Sequence, residues 1–241
     1  MTIFSLAIKI FFREFRSGQL LLMFFSLSLA VGIVASITFF TDRLDGSLMM
    51  ESKQFLGGDL KYESDTPLDE SSFPIGDYSY ANFYEFGSVL GSSKKFQLAS
   101  VKSVSPPYPL VGEFEILKKY DERVLETNPP KPGKVWLDTR LANLLEVAIN
   151  DKINIGEKDF SISGIILAES DRGAGSFAFA PKAIMNSSDL EEANVIQPGS
   201  RVRYSYVFAG SEKDIKLLEN FFQSKKNQEM KSLLRVTKQA H

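Results

Sequence analysis

Twenty-one consecutive residues, Leu20 to Phe40 (LLLMFFSLSLAVGIVASITFF), contain no charge and no Asn, Gln, His or Pro. As a helix rising about 1.5 Å per residue, such a run reaches roughly 31 Å, the thickness of the hydrocarbon core of a bilayer. Its Leu, Ile, Phe and Val residues each favour insertion by about 0.3–0.6 kcal/mol near the helix centre, and no charge opposes them. The run predicts a membrane span. A cleaved signal peptide has an apolar core of about 7–15 residues that ends in small residues; this run is longer and ends in Phe39 and Phe40. A buried core helix carries a polar stripe, and here only Ser26, Ser28, Ser36 and Thr38 are polar.

The flanks give the span an orientation. In residues 1–18, Lys9, Arg13 and Arg16 fall at i, i+4 and i+7 and share one helical face, with Phe4, Ala7 and Phe11 roughly opposite. This pattern predicts a cytoplasmic amphipathic helix lying in the membrane interface, its basic face toward lipid headgroups. The Lys and Arg excess before a transmembrane helix over 19–41 places the N-terminus in the cytoplasm and residues 42–241 outside it. Within the span, Ser28, Gly32 and Ser36 recur every fourth residue and form a strip where a second membrane helix can approach closely. Beyond it, Leu44, Leu48 and Phe55 keep a helical spacing as far as Gly57-Gly58, so the helix is expected to continue and to stop at a left-handed glycine cap.

Composition removes several function classes. The net charge is −2, and the basic residues gather only near the N-terminus, so nucleic acid is not an expected partner. There is no Cys, and the single His is residue 241, so a Ser–His or Cys–His pair has no base and a His cluster has no ligands. Gly133-Lys134 lacks the upstream glycine and the following Ser or Thr of a phosphate-binding loop. Asp121-Glu122 and Glu191-Glu192 point to different faces of any regular element. The polar loop from Glu169 to Gly175 reads as a solvated turn rather than a metal site. No catalytic, cofactor or metal-binding residues are predicted.

The two hundred residues after the span read as a mixed α+β domain. Strands are expected over Asp59–Ser64, Phe83–Leu90, Phe96–Val104 and Val135–Leu137. Asp138 or Thr139 caps a helix bearing Leu141, Leu144 and Leu145. Lys152–Ile155 and Phe160–Leu167 form a hairpin, Phe177–Phe179 is strand-like, and Pro181 opens a short helix toward Met185. Arg201–Ala209 alternates as a strand, Ser211 starts a helix with Ile215, Leu218 and Phe222 on one face, and Ser232–Thr237 returns as a strand to complete a β-α-β unit. Proline-rich breaks at 105–109 and 197–199 suggest a β-rich lobe, 105–199, inserted into a lobe formed by 57–104 and 200–238.

Several of these stretches together resemble the permease subunits of ABC transporters in the MacB/FtsX superfamily, most closely the YbbP-type branch. The resemblance rests on Arg13-Glu14-Phe15-Arg16-Ser17-Gly18, Phe39-Phe40-Thr41-Asp42-Arg43 and Leu56-Gly57-Gly58-Asp59-Leu60. It continues through Val101-Lys102-Ser103-Val104, Tyr108-Pro109-Leu110-Val111-Gly112, Val135-Trp136-Leu137-Asp138, Asp171-Arg172-Gly173 and Gln197-Pro198-Gly199-Ser200-Arg201-Val202-Arg203-Tyr204. It implies a two-lobed MacB-like periplasmic domain, a β-α-β porter-like lobe with an inserted β-rich lobe, on a first membrane helix in the bacterial inner membrane. A separate cytoplasmic ABC ATPase would supply energy for export or extraction of a hydrophobic substrate, and no catalytic residue carries over. Members of the family continue into further membrane helices, so this chain is expected to be the N-terminal part of a longer permease. Asn150-Asp151 stands where Gly-Asp is usual. The alternative is a single-pass anchor presenting an extracytoplasmic binding or sensing module.

Overall fold

The computed structural model describes residues 10, 13, 18–118, 122–169 and 180–239, with side chains for all of these except 19 and 227–239. The chain divides into two compact units, Met1–Glu51 and Ser52–His241. Helix α1, Gln19–Leu56, contains the apolar run and continues to the glycine pair as expected. Its segment Leu20–Leu56 is long and apolar enough to cross a membrane, with a mean hydropathy of 2.5 in its most apolar window, none of which is buried. Two of the hydroxyls in the run bond within the helix: Ser26 Oγ donates to the Met23 carbonyl and Thr38 Oγ1 to that of Val34.

Among the described residues, the unit from Ser52 onward is built on one ten-stranded sheet. Its strands are β1 (Leu60–Ser64), β2 (Tyr78–Gly91), β3 (Phe96–Val104), β4 (Phe114–Lys118) and β5 (Glu122–Glu126). They are followed by β6 (Lys134–Asp138), β7 (Lys152–Ile155), β8 (Lys158–Glu169), β9 (Lys182–Asn186) and β10 (Val202–Gly210). The order is β1-β10-β2-β3-β9-β6-β8-β4-β5, and β7 pairs with both β2 and β8. Six strands, β2-β3-β9-β6-β8-β7, therefore close on themselves. The residues pointing into this ring, among them Phe86, Leu90, Val101, Leu137, Phe160 and Met185, form the largest buried cluster. Strands from both 57–104 and 105–199 contribute to the ring, so the two segments share one core.

Helix α2 (Thr139–Leu145) packs Leu141 and Leu145 into that cluster. As the sequence suggests, Asp138 caps it: Oδ1 accepts from the Leu141 amide at 2.6 Å, while Oδ2 accepts from the Lys182 amide at 3.0 Å. Asp138→Ala removes both acceptors and is expected to cost about 1–2 kcal/mol, read as a lower unfolding midpoint. Asn150 adopts φ 77° at the turn before β7, a left-handed position that Asn tolerates and that explains how it stands in for glycine. A short helix α3 (Leu190–Ala193) precedes β10. Helix α4 (Glu212–Gln239) starts at Ser211, whose Oγ accepts from the Asp214 amide, and packs Leu218 and Phe222 against Tyr206 and Phe208 of β10.

Three local expectations are corrected, the first at Glu169, which is not in a solvated turn but is the buried last residue of β8. Ser232–Thr237 does not return as a strand but stays within α4. No Gly or Pro interrupts residues 212–239, and the Lys, Gln, Glu, Met and Leu between Phe222 and Thr237 are good helix formers that outweigh one short Val-Thr pair. Pro181 leads into strand β9 rather than a helix. Its carbonyl accepts from the Ser100 amide at 2.8 Å, and the missing N–H costs nothing at a strand's first position. Lys9, Arg16, Asp171-Arg172-Gly173 and Phe177–Phe179 lie outside the described residues.

Candidate functional site

The last turn of α1 is tied into the β-unit by a set of contacts that converge on Gly57. The Gly58 amide donates to the Lys53 carbonyl and the Gly57 amide to that of Gln54, the paired bonds of a Schellman cap, with Gly57 at φ 72°. The freed Gly57 carbonyl accepts from the amides of both Leu110 and Val111, at 2.9 and 3.0 Å. Tyr108, 1% exposed, lies directly over the glycine, so that a Cβ at residue 57 would fall 2.9 Å from the ring. On the other side, the Asp59 amide donates to the Phe208 carbonyl, and the Asp59 carboxylate accepts from the Gly210 amide and pairs with Lys53 at 2.8 Å.

From Tyr108 the contacts run into a buried charge cluster. Lys102, fully buried in β3, donates from Nζ to the Tyr108 hydroxyl at 3.1 Å and to Glu169 Oε1 at 2.5 Å. Its ammonium also sits over the rings of Phe83 and Tyr108, 4.3 and 4.7 Å from their centroids. Glu169, the last residue of β8, takes a second ammonium from Lys182 at 2.8 Å. A helix terminus, a tyrosine and three charged residues on β3, β8 and β9 are thereby linked by direct contact. These contacts form a continuous chain from the helix terminus into the sheet. Among the described residues, no group of three His, Asp or Glu side chains is placed to hold a metal ion.

The strip Ser28, Gly32 and Ser36 lies on exposed helix, and a Cβ at Gly32 would meet nothing within 4 Å. Arg13 is helical and exposed, while its companions Lys9 and Arg16 are not described. The joint itself was not foreseen as a site, although Gly57, Lys102 and Tyr108 all belong to stretches that carry the family resemblance. One signal was available in the sequence: a lone lysine in the otherwise uncharged strand FQLASVKSV requires a counter-charge if it is buried.

No protein-family model matches this sequence. Over 212 residues, 85% of its length, the chain is 32% identical to "Uncharacterized ABC transporter permease YbbP" of Escherichia coli (strain K12). It spans a quarter of that relative's length. Solved structures of similar shape include the extracellular domain of the noncanonic ABC-type transporter YknZ from Gram-positive bacteria, at 8% identity and a TM-score of 0.39 over 60% of this chain and 75% of that one. The periplasmic region of MacB from Actinobacillus actinomycetemcomitans aligns at 12% identity and a TM-score of 0.36, covering 64% of this chain and 69% of that one.

Proposed function

We propose, from its 32% identity to an ABC transporter permease over 85% of its length, that this chain belongs to the YbbP-type ABC transporter permeases and supplies the first membrane helix and the following periplasmic domain of an exporter. A separate cytoplasmic ABC ATPase drives the cycle, further transmembrane helices of the same permease complete the pathway, and the transported material is hydrophobic. The N-terminus lies in the cytoplasm of a bacterial cell, in the inner membrane, with Lys9, Arg13 and Arg16 facing lipid headgroups. In sequence, residues 105–199 are inserted between 57–104 and 200–238, and the inserted segment shares its core with the first of these. The observation that carries this reading is the joint: the cap at Gly57 is hydrogen-bonded to Leu110 and Val111 and covered by Tyr108, so movement of the helix end has a direct route into the β-unit.

Purification from native membranes tests it. The full-length protein is expected to bring down an ABC ATPase. Gly32→Leu, which places a bulky side chain in the strip Ser28, Gly32 and Ser36, is expected to weaken helix association by about 1–2 kcal/mol and to reduce that recovery. Recovery of no ATPase, with Gly32→Leu indifferent, favours a single-pass anchor carrying a binding module.

A further inference from the structure

The segment Lys131-Pro132-Gly133-Lys134 is a β-turn closed by the Lys134 amide on the Lys131 carbonyl at 2.9 Å, with Gly133 at φ 73° after a proline, as a type II turn requires. That geometry brings the Cα atoms of the first and fourth residues, both lysines, within about 7 Å. The turn is held from beneath. The Gly133 amide donates to both carboxylate oxygens of Asp189, at 3.0 and 2.9 Å, and Asp189 is 2% exposed and anchored by Lys158 at 2.6 Å. Asn186 Nδ2 donates to the Pro130 carbonyl at 2.9 Å. Buried polar groups thus fix the turn that carries both lysines. Among the described residues, neither Lys131 nor Lys134 forms an ion pair, whereas the nearby Lys118 is paired with Glu126.

These lysines border a cavity of about 470 Å³. Trp136 lines it through a specific irregularity: Val135 opposes Ile162 and Trp136 opposes Gly164, so Ser163 is the extra residue of a β-bulge and reaches the cavity. Gly164 leaves room for the indole, since a Cβ there would lie 3.1 Å from Trp136 Cδ1 and 3.0 Å from Ile116 Cγ2. The result is a recess with an aromatic wall, a hydroxyl, the mutually paired Lys118 and Glu126, and the ammonium groups of Lys131 and Lys134, which are in no ion pair among the described residues.

We infer that this cavity binds an organic phosphate, with Lys131 and Lys134 taking the phosphate oxygens and Trp136 contacting the carbon portion. Two ammonium groups match the charge of a phosphate monoester, and the volume exceeds what the phosphate alone needs. The same chemistry is offered by a soluble phosphate ester and by an anionic lipid headgroup, and the test separates them.

Trp136 is the only tryptophan in the chain, so its emission reports on this cavity alone. The full chain in neutral detergent is titrated with glycerol 3-phosphate. In parallel, the chain in phosphatidylcholine nanodiscs is compared with nanodiscs containing phosphatidic acid. A saturable change in emission is expected in one arm or both: glycerol 3-phosphate assigns a soluble ester, and phosphatidic acid alone assigns a headgroup. Lys131→Gln and Lys134→Gln are each expected to weaken the response about tenfold, with unchanged unfolding midpoints, and Lys94→Gln serves as a charge-matched surface control. The inference is overturned if neither probe changes the emission, if potassium chloride at equal ionic strength reproduces the change, or if the lysine variants respond like the parent.

Discussion

Glu169→Leu is expected to destabilise the unit from Ser52 to His241 by about 3–5 kcal/mol, the cost of removing one member of a buried ion cluster. The carboxylate bonds Lys102, which is fully buried, and Lys182, which is largely buried, so its loss leaves two ammonium groups without their shared counter-charge. For a domain of this size the midpoint of thermal unfolding is expected to fall by about 10 °C. A double-mutant cycle makes the prediction specific. Lys102→Met relieves the desolvation problem that Glu169→Leu creates, so Lys102→Met/Glu169→Leu should lose clearly less stability than the sum of the single variants. Additive losses would show that the pair does not interact as the geometry indicates.

Gly58→Ala is expected to cost about 1–3 kcal/mol and to disturb the joint itself. A Cβ at this position would lie 2.4 Å from Val207 Cγ1 and 2.8 Å from the Phe208 carbonyl oxygen, and the second neighbour is strand backbone that cannot turn aside. Relief requires the chain to move away from β10, which lengthens the bond from the Asp59 amide to the Phe208 carbonyl, now 2.8 Å. Hydrogen exchange offers the sharper reading. The Asp59, Leu110 and Val111 amides should lose protection in Gly58→Ala, while amides inside the six-strand ring, such as those of β6, keep theirs. Equal protection throughout would mean that the glycine pair ends the helix without locking it to the β-unit.

The parts legible in the sequence are those whose signals are local. The apolar run Leu20–Phe40 marked the helix, Gly57-Gly58 marked its end, Asp138 marked a cap, β-favouring residues beside Gly91-Ser92-Ser93 marked β3, and the apolar-polar alternation of Arg201–Ala209 marked β10. Local signals failed where two were in competition, at Pro181 and at Ser232–Thr237, and there the tertiary position of β9 and the unbroken helical run of α4 prevailed.

What the sequence determined by itself is therefore a long apolar helix ending at a glycine cap, followed by a β-rich unit, because length, hydropathy and turn chemistry act over a few neighbouring residues. Only the tertiary structure decided that β2 and β7, far apart in the chain, close a ring around a shared core. It alone brought Gly57 beneath Tyr108, joined Lys102 to Glu169 across 67 positions, and set Lys131 and Lys134 on a turn pinned by Asp189. Burial, not spacing, dictates those pairings: a lysine inside a strand must find its carboxylate wherever the fold delivers one, and periodicity carries no record of where that is.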